Sequence, residues 1–263
     1  MLAAKTSSHE KSFLKIVLNN DYYYTLKILR FLVVTLVGSY SSIGYSFSGI
    51  DIPDIKPFQE ESVIVQKGNV VYFDGLISKE SFTTLSNFPH PDKIESISIN
   101  SMGGDVEAAL DIADWMWENH INIRIRTVCA SACANYLFPA ARNKFIGKDS
   151  YLLLHGGVNS PEKEFQLDTN TDFSRNSFFE SPEVKKIKSR ELVFYHKINV
   201  GSKYPYCPQL EENYSDKFPE KWFSYEPLSL EKFGISNIHY ANSPSQWILL
   251  MRSKNVIFAN NCN

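Results

Sequence analysis

Two periods alternate along the chain. Val63-Ile64-Val65 and Val70-Val71-Tyr72-Phe73 are short β-branched or aromatic runs parted by Lys67-Gly68-Asn69, which predicts two strands and a turn. Ile94 to Ile99 alternates apolar and polar residues, as a strand does, and ends at Asn100-Ser101-Met102-Gly103-Gly104. From Asp105 the period becomes helical: Val106, Ala109, Leu110, Ala113, Met116 and Trp117 share one face, while Asp105, Glu107, Asp111, Asp114 and Glu118 take the other. The acids gather at the front of this helix, where the macrodipole favours negative charge. Ile121 to Val128 then predicts a strand, Ser131 to Ala141 a short helix, and Tyr151 to Leu154 a buried strand. Strands alternating with helices imply βαβ crossovers and a largely parallel sheet, an α/β fold.

Beyond His155 the pattern loosens. Asn159 to Pro182 is polar and reads as a long loop. Glu183 to Asn199 returns to helix, with Val184, Ile187, Leu192, Tyr195 and Ile198 available for an apolar face. Gly201 to Pro219 is an irregular connection, and Leu228 to Phe233 a short helix stopped by Gly234, a suitable residue just past a helix end. Trp247 to Phe258 is expected to supply a last strand.

The first 50 residues read differently. Lys27 and Arg30 precede Phe31-Leu32-Val33-Val34-Thr35-Leu36-Val37-Gly38, and no charge returns until Asp51. Basic residues, an apolar stretch and then small residues at Ser46 and Ser48 make a secretory signal pattern. Phe31 to Ile50 is also long enough for an uncleaved membrane anchor. Residues 1–50 are therefore assigned as a signal peptide or anchor with a polar lead, and 51–263 as one α/β domain. Either way the domain is expected in the periplasm, free or membrane-anchored.

Composition narrows the function. The 263 residues are 43% hydrophobic and 21% charged, an ordinary globular balance. Lys+Arg 27 against Asp+Glu 29 leaves a formal charge of -2, so the electrostatic footprint of a nucleic-acid partner is absent from the sequence. Four cysteines form no CxxC pair. In an oxidising compartment they make up to two bridges, Cys207–Cys262 being a structural candidate, while Cys129 and Cys133 either pack as small residues or pair with each other. A zinc site from Cys129, Cys133 and His155 lacks an evident fourth ligand, and neither metal nor cofactor is implied.

Three segments carry chemistry, each where a strand hands over to a helix or loop. Paired glycines at Gly103-Gly104 let backbone N–H groups face a ligand, as an oxyanion hole requires; alone they are an ordinary tight turn. Cys129-Ala130-Ser131-Ala132-Cys133 surrounds a serine with small residues, which a nucleophile at a sharp junction needs; alone Ser131 is a helix cap. Leu152-Leu153-Leu154-His155-Gly156-Gly157 brings a histidine out of a buried strand, where a hydrogen-bonded structural role is the commoner one.

Their order, Gly-Gly, then Ser, then His, resembles the Clp protease/crotonase-like superfamily, and within it the exported bacterial ClpP-like branch. The resemblance is strongest over Ile94–Gly157, with weaker likeness at Val70–Ile77 and Ser224–Ile235. It implies a ClpP/crotonase-like spiral of βαβ units, Ser131 as nucleophile, His155 as general base, Gly104 and Ala132 as oxyanion-hole donors and Gly103 as the residue shaping the turn. It also implies a peptide or protein substrate and allows a homo-oligomer. Family members usually orient the histidine with a carboxylate just ahead of the closing helix. The aligned place here is Lys221-Trp222; Glu220 is adjacent, and Asp216 and Glu226 lie further off. A Ser–Lys arrangement would use Lys144 or Lys148 instead. Two classes of function remain: a serine hydrolase, and a ClpP-like binding or scaffold protein with little turnover. Coenzyme A thioester chemistry, which related folds also serve, is disfavoured by export.

Overall fold

The computed structural model describes Ile50, Phe58 and residues 60–88, 90–165, 175–259 and 262. The signal or anchor segment, Ile50 apart, lies outside the described residues. Among those described, no helix is long and apolar enough to cross a membrane.

Strands β1 (Val63–Lys67) and β2 (Val70–Asp74) form an antiparallel hairpin in which Lys67 faces Val70 across Gly68 at φ +61. Helix α1 (Lys79–Ser86) opens with a reciprocal cap between Ser78 and Ser81. Strand β3 (Ser96–Ser101) leads to α2 (Val106–Glu118), where the Asp105 carboxylate accepts from Ala108 N at 2.8 Å. Strand β4 (Asn122–Ala130) runs into one turn of π-helix, Cys133–Leu137, and then α3 (Phe138–Ala140). Strands β5 (Lys144–Ile146) and β6 (Tyr151–Leu153) follow, then α4 (Arg175–Glu180), α5 (Pro182–Lys197), α6 (Tyr214–Lys217), α7 (Pro227–Lys232), β7 (Ile238–Tyr240) and α8 (Pro244–Ser253).

The seven strands make one sheet in the order β1-β2-β3-β4-β5-β7, with β6 beside β4, and every pairing except β1–β2 is parallel. The molecule is therefore α/β with a largely parallel sheet. Val71, Phe73, Ile97, Ile99, Ile123 and Ile125 are fully buried, as are Ala109, Ala113 and Met116 on α2. Ion pairs from Arg190 to Asp111 and from Lys197 to Asp114 and Glu118 tie α5 to α2 along the polar edge of their contact.

β4 changes neighbour halfway. Its first half pairs with β5 and its second half, Val128 to Ala130, with β6. This split puts the ends of β3, β4 and β6 side by side, so the three chemistry-bearing segments leave adjacent parallel strands at one edge of the sheet, where ligand sites of such sheets form.

Two expectations are corrected. Trp247–Phe258 is not a strand: Pro244–Ser253 is helical, started by a reciprocal cap between Ser243 and Gln246, with Trp247 and Met251 one turn apart on the buried face. The loop expected over 159–182 contains α4 and a 3₁₀ turn at Glu162–Glu164, because Phe178 and Phe179 bury with Val184 in a small apolar cluster.

Candidate active site

Ser131 follows the last residue of β4 and adopts φ +51, a conformation that costs a non-glycine residue energy. Its N–H is held by Leu153 O of β6 at 2.9 Å, and its carbonyl accepts from Asn135 N at 2.8 Å, which starts the next helix. Cys129 and Cys133, on either side, are joined in a disulfide, as are Cys207 and Cys262. Neither thiolate is then free for zinc, and no metal-binding cluster of His, Cys, Asp or Glu occurs among the described residues.

The helix after Ser131 widens for a local reason. Pro139 has no N–H to give Asn135 O, and Phe138 N bonds back to Cys133 O, leaving Ala134 O without its usual donor. Two buried tyrosines fill the places: Tyr195 OH donates to Asn135 O at 2.7 Å and Tyr204 OH to Ala134 O at 3.1 Å.

His155 leaves β6 one residue beyond Leu154, and its Nε2 lies 2.6 Å from Ser131 Oγ. Gln209 Nε2 donates to His155 O at 2.9 Å and Asn135 Nδ2 to Gly156 O at 2.7 Å, so two side-chain amides clamp the peptide that carries the imidazole. The Trp222 ring packs on the imidazole with centroids 4.4 Å apart. Burial pushes the imidazole down from 6.5 to about 4, so the ring is neutral at pH 7 and Nε2 can accept the Ser131 proton.

Gly103 and Gly104 form the facing wall. Ile77 pins them: its N–H donates to Gly103 O and its carbonyl accepts from Asp105 N, both at 2.8 Å. The N–H of Gly103 is taken by Ser101 Oγ at 3.1 Å. Gly104 N–H and Ala132 N–H have no hydrogen-bond partner among the described residues, and both residues line the same pocket as Ser131 and His155. A Cβ on Gly103 would stand 2.6 Å from Ser131 Cβ, so the glycine is what allows the turn to pack against the serine.

The other sequence candidates are placed elsewhere. Glu220 is half-buried, and neither it nor Asp216 makes a hydrogen bond or ion pair with His155. Glu226 pairs with Arg252 at 2.6 Å. Lys144 is buried, gives its ammonium to Ala141 O at 2.6 Å, and is lowered to about 8 by burial; Ser131 Oγ meets His155 instead.

Beyond the polar groups the pocket is apolar, walled by Val106, Tyr136, Val158, Phe165, Phe178, Val184 and Ile187. Sequence reasoning did not single out Trp222, Asn135 or Gln209. Asn135 could have been found, four residues after Ser131 on the same helical face; Gln209 and Trp222 meet His155 only through the fold.

The arrangement brings together a hydroxyl, a neutral imidazole in contact with it, and two N–H groups with no partner among the described residues, which are the groups that acyl transfer through a serine requires. No protein-family model and no curated protein sequence matches the chain. Among solved structures, a mutant ClpP1 from Listeria monocytogenes is similar, at 20% identity over 68% of this chain and 94% of that one, with a TM-score of 0.40.

Proposed function

We propose that this chain is a serine hydrolase, a peptidase of the ClpP-like kind, acting on peptide or protein substrate outside the cytoplasmic membrane. The 2.6 Å contact between His155 Nε2 and Ser131 Oγ carries this reading. Ser131 Oγ attacks the scissile carbonyl carbon as its proton passes to His155 Nε2. The carbonyl oxygen becomes the oxyanion, received by Gly104 N–H and Ala132 N–H. The C–N bond then breaks, the imidazolium returns the proton to the leaving amine, and water, deprotonated by the same imidazole, releases the acyl group from Ser131. The apolar pocket beside Ser131 favours a substrate with an apolar side chain next to the scissile bond. Export is supported by the uncharged Phe31–Ile50 stretch and by two disulfides.

One observation favours a second reading, a ClpP-like binding or scaffold protein with weak turnover. No carboxylate among the described residues contacts His155, and a base held near 4 keeps a proton poorly at neutral pH. A fluorophosphonate probe decides between them. Labelling of the wild type that is abolished by Ser131→Ala supports the hydrolase; a folded wild type that takes no label overturns it.

A further inference from the structure

Glu191 is fully buried on α5, in the wall behind the pocket. Its Oε1 accepts from Tyr136 OH at 2.6 Å, and its Oε2 from Asn159 N at 3.1 Å and Asn159 Nδ2 at 2.7 Å. The Val158 amide also reaches it. Among the described residues no cation pairs with it: Arg190, its neighbour in sequence, is engaged with Asp111 and Asp114. A buried carboxylate without a counter-charge is costly, and it persists only where hydrogen bonds hold it.

The origin of those donors is informative. Tyr136 belongs to the helical turn that begins at Ser131, and Val158 and Asn159 belong to the loop that follows His155. One oxygen is bound to the nucleophile's segment and the other to the base's segment. Gly157 has no side chain to separate them, since a Cβ there would stand 2.6 Å from Glu191 Oε1.

We propose that Glu191 is a positioning residue that braces the Ser131 helix against the His155 loop, setting the contact between serine and imidazole and keeping water from it. This rests on the reading of Ser131 and His155 as nucleophile and base. Burial raises the Glu191 carboxyl, and the bonds from Tyr136 and Asn159 oppose that rise. Among the described residues the hydroxyls of Tyr136, Tyr195 and Tyr206 are the titratable groups around it; a phenol is already neutral at physiological pH, and burial raises these three further.

The full chain, labelled with ¹⁵N-histidine, gives a readout that needs no turnover. In the wild type, where burial pushes the imidazole down to about 4, the His155 midpoint should fall there. In Glu191→Ala the loop is released and wetted, so the His155 midpoint should climb toward 6.5 and fluorophosphonate labelling should slow about tenfold or more. Glu191→Gln should rescue both: its amide oxygen takes the Asn159 donors, and its NH₂ donates to the Tyr136 hydroxyl oxygen. Adding Tyr136→Phe to Glu191→Gln strands that NH₂ and should cancel the rescue. A Glu191→Ala protein that melts earlier yet keeps the wild-type His155 midpoint and labelling rate overturns the proposal. If Glu191→Ala does not fold, the Glu191→Gln, Tyr136→Phe pair decides in the same way. A wild type inert to the probe would sink the hydrolase reading, while the titration would still judge the brace.

Discussion

The indole of Trp222 lies against the imidazole of His155, centroids 4.4 Å apart and ring planes inclined at 50°. Lys221-Trp222 is the stretch where the ClpP-like resemblance expects an acid. An aromatic face there holds the ring by contact and excludes water, but does not stabilise the imidazolium as a carboxylate would. The depressed imidazole value has burial as its cause, with no opposing carboxylate.

If contact rather than charge orients the ring, Trp222→Ala should slow probe labelling of Ser131 by about tenfold, in line with the cost of loosening a catalytic group. Glu220→Gln and Asp216→Asn should each stay within about twofold, since neither group meets the imidazole and surface changes are usually near neutral. Second-order labelling rates measure all three. A tenfold loss in Glu220→Gln would mean that an acid does reach His155 in the working state.

Stability should depend on pH with a definite sign. Between about 4 and 6.5 the folded chain keeps His155 neutral, while in the unfolded chain it is protonated. The unfolded state binds more protons there, so stability rises with pH through this window. The contribution is complete above 6.5 and gone once pH falls below about 4. At 1.36 kcal/mol per pKa unit it amounts to roughly 3 kcal/mol. Urea midpoints between pH 4 and 7 should fall more steeply on acidification for the wild type than for His155→Gln. Equal slopes would reject the depressed value.

What the sequence showed and what it hid divide by range. The change of period at Asp105, the small residues around Ser131 and the apolar run into His155 are local, and they placed α2, β4, β6 and the three site segments. The tail is helical although Trp247 to Phe258 is rich in strand-forming residues, because Ser243-Pro244-Ser245-Gln246 carries a helix-start signal. The contacts of His155 with Trp222 and of Tyr136 with Glu191 join residues far apart in the chain, and no period or spacing encodes such pairs.

The glycine turn shows the same divide. Gly104 can be read from sequence as a donor site, which makes a bulky replacement look like a clean test of the oxyanion hole. In the fold, a Cβ at Gly104 would stand 2.1 Å from Ile77 O, and the residue adopts φ +142. Gly104→Ala should therefore cost about 3 kcal/mol of stability, the scale of a forced backbone conformation, before any catalytic loss is measured. Ser101→Ala is the gentler probe, since it adds no atom and removes one hydroxyl, which accepts from Gly103 N–H at 3.1 Å and donates to Gly103 O at 3.4 Å. It should cost about 1 kcal/mol and slow labelling several-fold. Unchanged labelling with a lowered melting temperature would mean that the turn's fine geometry does not matter to Ser131.

The two disulfides should separate stability from activity. Cys207–Cys262 spans 55 residues and Cys129–Cys133 only 4. Closing the longer loop restrains the unfolded chain more, so the chain-entropy model assigns about 4 kcal/mol to the first and about 2 kcal/mol to the second. Their places in the fold point the other way for chemistry. Cys207 begins the 3₁₀ turn that carries Gln209, whose contact with His155 is to a backbone carbonyl, whereas Cys129 and Cys133 enclose Ser131 at φ +51. Cys207→Ser with Cys262→Ser should lower the melting temperature more, with labelling changed by no more than about threefold at a temperature where the variant is folded. Cys129→Ala with Cys133→Ala should melt closer to the wild type yet label about tenfold more slowly, because the serine is free to leave its strained conformation. Melting curves and labelling rates on the same samples test the pairing. If the longer bridge proves the more damaging to labelling, Ser131 is held by its strand and turn, and the Cys129–Cys133 bridge contributes nothing to its aim.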